Sequence, residues 1–275
     1  MKKTLSFAFI FLLLLSVFPL TAAATSRANV GVYINNQPFT GNVQIKDETT
    51  FVAVRQFSNT IDPSARVTYS YSTRTLTISS SKLYMTIKDG ASYIVANGRY
   101  LYTPSPIYMK LGVMYAPVTL LAKAFDARIS WQGASSSFYI TRGTGGIVSG
   151  DKFYREDEVY WLSKIINAES GGEILKGKIA VGNVILNRVR SPYFPNTIYS
   201  VIFDRKNGVQ FSPVANGSIY KNANADSIIA AKICLEGYSI DNYILYFVNP
   251  KVAPNSWVGQ NRPFFAQIGN HAFFY

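Results

Sequence analysis

The sequence holds one cysteine and one histidine in 275 residues. A single thiol, Cys234, excludes any intramolecular disulfide. Its setting in "SIIAAKICLEG" reads as that of a small core hydrophobe. A single imidazole, His271, cannot build an imidazole-rich metal site. With no adjacent Ser or Cys nucleophile it reads as a structural residue. Acidic side chains are also scarce, 15 against 27 basic ones, for a formal charge of +12. After residue 24 no stretch is apolar for long enough to span a bilayer.

The first 24 residues have their own composition. Lys2 and Lys3 precede the apolar run "LSFAFIFLLLLSVFPL", and "TAAA" follows, with Ala22-x-Ala24 as a cleavage signature. This predicts a secretory signal peptide over residues 1–24, with an uncleaved anchor as the alternative. The mature protein is then expected to be secreted or held at the cell wall. An exported chain without disulfides suits a bacterial outer compartment. The remaining 250 or so residues suggest two domains, each able to bury a core. Residues 25–150 carry 12 basic and 5 acidic side chains, and residues 151–275 carry 13 and 10. The positive field therefore concentrates in the first half. In an exported protein that argues against nucleic acid and for anionic wall polymers or anionic membrane, with plain solubility as the alternative.

Residues 28–142 read as a β-rich domain of short strands separated by turns: "VGVYIN", "TFVAV", "RVTYSYS", "RTLTIS", "LYMTIK", "ASYIVANG", "RYLY", "ARISW" and "SFYIT". The segment echoes itself. Ala65-Arg66-Val67-Thr68-Tyr69 matches Ala127-Arg128-Ile129-Ser130-Trp131, and Leu76-Thr77-Ile78 matches Phe138-Tyr139-Ile140, at one offset of 62. In both copies a short strand leads into a helix, then into Ala-Arg with a β-branched residue and an aromatic, then into a closing alternating strand, which indicates a duplicated module. This layout resembles the copper amine oxidase N-terminal-like domain found on exported bacterial wall proteins. The resemblance implies a stalk or wall-binding role, with a plain spacer as the alternative. It does not imply copper here, since the one histidine lies in the other half. "TRGTGGIVSGDKF" then reads as a flexible linker, residues 143–152, before a second domain over 153–275.

In "DKFYREDEVYWLSKIINAES" the acidic residues sit early, as a helix N-terminus prefers. The apolar stripe Val159, Leu162, Ile166 continues at spacing three to Glu169, which places a carboxylate on the core-facing side of the last turn. Gly171 and Gly172 follow, ending the helix and leaving space beside the carboxylate. Desolvation there favours the neutral acid, the form a general acid needs. A glutamate that merely reaches solvent past the helix end is the alternative. The next helix, "EILKGKIAVGNVILNRVRS", is apolar enough to be largely buried, and Asn183 and Asn187 must find partners inside. Glu173 at its start suits support of the helix N-terminus.

The motifs "NAESGGEILKGKIAVGNVILNRV", "FPNTIYSVIF", "QFSPVANGSI", "ILYFVNP" and "IGNHAFFY", in this order, resemble the cell wall hydrolase family of the spore cortex-lytic enzymes. The resemblance implies a mainly helical, lysozyme/lytic-transglycosylase-like domain, so the chain as a whole is expected to be α+β. It implies peptidoglycan as substrate, cleavage of the MurNAc–GlcNAc β-1,4 bond, Glu169 as catalytic acid, and neither cofactor nor metal. Gln210, Phe211 and Asn249 match family positions, and amides suit N-acetyl groups. Tyr246, Phe247 and Trp257 suit stacking on sugar rings, with core packing as the alternative, and Glu173 joins them as a substrate-binding candidate. Ordinary glycosidases need two carboxylates roughly 5–9 Å apart. A lytic transglycosylase works with one, used first as acid and then as base. The single well-placed Glu169 suits that route. A water-using muramidase drawing on Asp204, Asp226 or Asp241 stays open, as does a wall-binding protein without activity. In place of the helical peptidoglycan-binding module that the spore enzymes often carry, this chain has the duplicated β module.

Overall fold

The computed structural model describes residues 30–206 and 208–275; the signal peptide expected over 1–24 lies outside them. The first half forms β1 (Gly31–Ile34), β2 (Gln37–Pro38), β3 (Val43–Lys46), β4 (Thr49–Ala53) and helix α1 (Val54–Ile61). Five strands follow, β5 (Arg66–Ser70), β6 (Thr75–Ser79), β7 (Tyr84–Lys88), β8 (Tyr93–Ala96) and β9 (Arg99–Tyr102). Then come β10 (Tyr108–Lys110), β11 (Val113–Pro117), helix α2 (Val118–Ala124), β12 (Arg128–Gln132) and β13 (Ser137–Thr141). Period-two alternation sets which side chains turn inward. Leu76 and Ile78, Met85 and Ile87, Ile94 and Ala96 are buried on β6, β7 and β8. Three sheets result: β12-β13-β1-β2, β10-β11-β4-β3 and β5-β6-β7-β8-β9. The edge strands β3 and β10 do not stand out in the sequence, because at four and three residues each is too short to set a pattern apart from its turns.

The duplication is visible in space. β4 and β11 lie antiparallel at the middle of one sheet, with Ala116 opposite Val52, and each runs directly into its helix. Each helix leads to a hairpin, β5–β6 in one copy and β12–β13 in the other. Only the outer neighbour differs. β6 continues into antiparallel β7, whereas β13 receives β1 in parallel.

The flexible linker expected over 143–152 is corrected by the structure. Ile147 is buried in the core of the β domain, its N–H donating to the Ala124 carbonyl at 3.0 Å. Asn97 Nδ2 donates to the Ile147 carbonyl at 2.8 Å, and Gly150 N–H donates to the Asn97 carbonyl at 2.8 Å. The glycines that suggested flexibility serve close approach instead. A Cβ on Gly143 would lie 1.8 Å from the Asp126 carbonyl oxygen, and one on Gly146 2.2 Å from that of Lys82.

The second domain begins with a short helix, α3 (Gly150–Phe153), separate from α4 (Glu156–Ser170), so the single helix expected from Asp151 is broken at Tyr154 and Arg155. The acidic residues Glu156, Asp157 and Glu158 do occupy the first turn of α4, where the helix dipole favours them. α4 packs with α5 (Leu175–Arg190) and, beyond the short α6 (Ile198–Ile202) and α7 (Ser212–Ala215), with α8 (Ala225–Leu235). Leu162, Ile165, Ile166, Ile179, Val181, Val184, Ile185, Ile233 and Cys234 fill the core between them. Gly182 permits the close crossing, since a Cβ there would lie 2.7 Å from Cys234 Sγ. A small sheet, β14 (Tyr246–Val248), β16 (His271–Phe274) and β15 (Phe264–Ile268), follows in spatial order β14-β16-β15, with α9 (Trp257–Asn261) between β14 and β15 in the chain. Among the described residues no helix is long and apolar enough to cross a membrane.

The two halves are joined by a buried polar contact. The Glu236 carboxylate, with 2% of its side chain exposed, accepts two hydrogen bonds from Arg99 (2.7 and 2.8 Å) and one from the Tyr154 hydroxyl (2.8 Å). Lys123 Nζ lies 3.1 Å away. Arg99 in turn lies over the Phe153 ring, and Tyr102 packs on Tyr238 with ring centroids 4.3 Å apart. Burial pushes the Glu236 pKa up, but the bonds from Arg99, Tyr154 and Lys123 outweigh it and leave the pKa below the ordinary glutamate value. The linked stability is therefore present above the ordinary carboxylate range and is lost as pH falls through the lower, folded-state pKa. Removing one partner of a buried pair strands the other charge. Glu236→Ala is expected to cost about 3 kcal/mol and to split calorimetric unfolding into two transitions, one for each half. A single transition at the parental temperature would show that this contact does not couple them.

Candidate active site

Glu169 occupies the last turn of α4, where the apolar stripe directs it inward. Its neighbours complete the helix end. Lys178, buried on α5, donates from Nζ to the carbonyls of Ser170 and Gly171 at 2.9 and 2.6 Å, satisfying groups that the helix terminus leaves open. Gly171 keeps a right-handed φ of −55°, so the helix ends through the lysine rather than through a left-handed glycine. Asn183 and Asn187, buried on α5 as expected, do find partners. Asn183 Nδ2 donates to the Tyr238 carbonyl (3.0 Å), and Asn187 Nδ2 to those of Asp241 and Ile244 (3.1 and 2.9 Å). These bonds fix the segment that leads into β14 and so place Tyr246 and Phe247.

Glu169 opens into a groove of about 970 Å³. Gln210, Phe211, Tyr246, Phe247 and Trp257 line it as well, so five of the residues singled out in the sequence converge on the expected acid. Phe211 is buried in the floor, whereas Trp257 is 59% exposed at the mouth. Arg262 sits over the rings of Tyr246 and Trp257, 4.6 and 5.1 Å from their centroids. Glu169 is the only carboxylate lining the groove among the described residues. No hydrogen bond or ion pair holds it there. Burial pushes its pKa up to about 7, and the positive charge of Arg188 limits the rise. Near neutral pH the group thus exists in both forms, as a residue that donates and then accepts a proton requires.

Two expected contacts lie elsewhere. Glu173 does not line the groove, nor does it cap α5, whose N-cap is Ile174. Its carboxylate accepts hydrogen bonds from the backbone N–H and the side-chain amide of Asn270, at 3.2 and 2.8 Å. Gly269, at φ +61°, makes the tight turn between β15 and β16, and a Cβ there would strike Glu173. Glu173 therefore anchors the C-terminal hairpin to the α4–α5 connection. Asn249 also lies outside the groove lining, at the end of β14, where its Oδ1 accepts from the Lys251 N–H at 3.0 Å and shapes a turn. His271 is buried, its ring edge toward Phe247 and its Nδ1 3.8 Å from Glu173, and burial lowers its pKa. It supports the hairpin as a neutral ring.

Of the aspartates considered as second carboxylates, none lines the groove. Asp241 Oδ1 accepts from the N–H groups of Tyr243 and Ile244, Asp204 Oδ1 accepts from that of Lys206, and Asp226 lies in the first turn of α8. Two charged groove residues, Arg188 and Arg262, escaped the sequence reading. Arg188 falls on the stripe Val181, Val184, Ile185, Arg188, so the helical spacing that exposed Glu169 also marks this cation.

The matches to known proteins follow the same division. Residues 172–274 match the Cell Wall Hydrolase family model, and residues 33–140 match the Copper amine oxidase N-terminal domain model. Glu169 lies just ahead of the first of these. A spore cortex-lytic enzyme of Bacillus cereus is 36% identical over 120 residues, covering 44% of this chain and 45% of that protein. The spore cortex-lytic enzyme of Bacillus subtilis is 33% identical over 120 residues, covering 44% and 38%. The chain thus spans less than half the length of these relatives. Among solved structures, the catalytic domain of the germination-specific lytic transglycosylase SleB from Bacillus anthracis is 34% identical, with a TM-score of 0.41. The match covers 47% of this chain and all of that one.

The placement of Glu173 makes a prediction of its own. Glu173→Ala is expected to lower stability by about 1 kcal/mol, the loss of its hydrogen bonds from the exposed Asn270, seen as a lower Tm. Glycan affinity of the folded protein is expected to hold. Weaker glycan binding at an unchanged Tm would instead make Glu173 a substrate contact. By its matched segments, the chain resembles the cell wall hydrolase family over residues 172–274 and the copper amine oxidase N-terminal domain over residues 33–140.

Proposed function

We propose that this protein is an exported, peptidoglycan-degrading enzyme. It cleaves the MurNAc–GlcNAc β-1,4 bond as a lytic transglycosylase, with Glu169 as general acid and then base. One observation carries the reading: the groove presents a single carboxylate among the described residues, half-buried, free of hydrogen bonds, with a pKa pushed up to about 7. The names of the relatives support the substrate class, since spore cortex and cell wall are both peptidoglycan.

The chemistry balances with one residue. Glu169 in its acid form gives its proton to the glycosidic oxygen as the bond from that oxygen to the muramic C1 breaks. The resulting carboxylate takes the proton of the muramic 6-hydroxyl, whose oxygen bonds to C1 and closes a 1,6-anhydro ring. Glu169 ends protonated, and no water is consumed. Gln210, which lines the groove, suits an N-acetyl group, and the exposed ring of Trp257 suits stacking on a pyranose. The net positive β domain adds attraction for anionic wall polymers.

The water-using route has one observation in its favour, since the charge of Asp204 reaches Arg188 in the groove floor. Product analysis separates the two. Peptidoglycan digested by the mature protein is expected to release fragments ending in 1,6-anhydro-muramic residues, by mass spectrometry. Glu169→Gln is expected to reduce their yield about 100- to 10,000-fold. Reducing muramic ends would place water as the nucleophile, and full activity in the variant would remove Glu169 from the chemistry. Because the acid form starts the reaction, kcat/KM is expected to fall as pH rises through about 7. A flat profile between pH 6 and 8 would contradict that assignment.

A further inference from the structure

Arg188 is 6% exposed and lines the same groove as Glu169. Its Nε donates to the Leu245 carbonyl at 2.8 Å, while Nη1 is buried with no hydrogen-bond partner. The rings of Phe194, Phe211 and Tyr246 surround the guanidinium, with centroids 4.9, 5.2 and 5.4 Å from Cζ. No carboxylate lies within ion-pairing distance among the described residues. A buried cation without a counter-ion is unfavourable, and the ring faces return only part of the lost hydration. Such a charge, held rigidly beside the one carboxylate of the groove, calls for a partner that is negative only part of the time. Glu169 is that partner, because its charge appears when the proton leaves.

We infer that Arg188 is a positioning residue for Glu169: the fixed positive charge in the groove floor that stabilises the carboxylate formed after proton donation. This rests on the function proposed above. The charged and titratable groups acting on Arg188 are Tyr246 on β14, Asp204 beyond α6 and Glu169 on α4, with Arg262 over the Tyr246 ring. Of these, only Glu169 both lines the groove and changes charge in the reaction. Arg188 holds the proton affinity of Glu169 down, and burial holds it up.

The test is the pH profile of peptidoglycan cleavage by the full-length mature chain. In Arg188→Met, which keeps the stem between the rings and removes the charge, Glu169 is expected to keep its proton to higher pH. The basic limb of kcat/KM then moves upward and kcat falls. Arg188→Lys keeps the charge and is expected to leave the limb near that of the parent. A merely structural role would lower Tm or activity in both variants without moving the limb, and that result overturns the inference. If Arg188→Met does not fold, Asp204→Asn provides the test from the opposite side. Removing a negative charge that partly neutralises Arg188 is expected to move the limb downward, and an unmoved limb overturns the inference. Glu169→Gln in the same assay keeps the two claims apart. Activity in that variant defeats the proposed function, whereas an inactive Glu169→Gln beside an unmoved limb in Arg188→Met defeats this inference alone.

Discussion

A carboxyl group at the buried end of a helix must be paired, hydrogen-bonded or protonated, because its charged form is costly away from water. Glu169 has neither pairing nor a hydrogen bond, so its protonation state is left to burial and to the field of Arg188. Much of the second domain can be understood as what holds that condition in place. Lys178 closes the end of α4 and so fixes the backbone from which Glu169 projects. Asn183 and Asn187 fasten the segment before β14, and Glu173 fastens the hairpin behind it. Two asparagines read in the sequence as needing inside partners, and one glutamate read as a site candidate, therefore serve to shape a wall of the groove.

The contrast between Glu169 and Glu173 shows how environment separates two glutamates four positions apart. Both are drawn toward higher pKa by burial. Glu173 accepts two hydrogen bonds from Asn270 and lies below the ordinary value, whereas Glu169 accepts none and rises to about 7. The first is a permanent anion in a structural knot. The second changes its charge within the working range of pH, as proton transfer requires.

Much of this was legible in the sequence. The stripe Val159, Leu162, Ile166 pointed to Glu169 by helical geometry alone, and the 62-residue offset exposed the duplicated β module before any coordinates. What misled was local. Gly143 and Gly146 suggested a loose linker because composition cannot distinguish glycine used for freedom from glycine used for close approach. Glu173 and Asn249 fit a motif, yet their side chains turn to a hairpin and a turn, directions set by tertiary contacts. Arg188 carried a signal that went unread, a cation on an apolar stripe. The contact between the halves was invisible, since Arg99, Lys123, Tyr154 and Glu236 lie far apart in the chain and meet only through the docking of β9 on α8.

That docking changes what the β domain does for the half that carries the groove. A stalk on a flexible tether would present the groove at every angle. Here Ile147 and the Glu236 contact hold the positive domain in one orientation relative to the groove, so affinity for an anionic wall would also orient the groove against it. The account still turns on the state of one proton. Its most direct test is carbon-13 NMR titration of the Glu169 side-chain carboxyl in the full mature chain. A midpoint near 7 is the result the account predicts. A midpoint in the ordinary glutamate range, about 4.3, would mean that Glu169 is ionised at neutral pH and cannot supply the first proton.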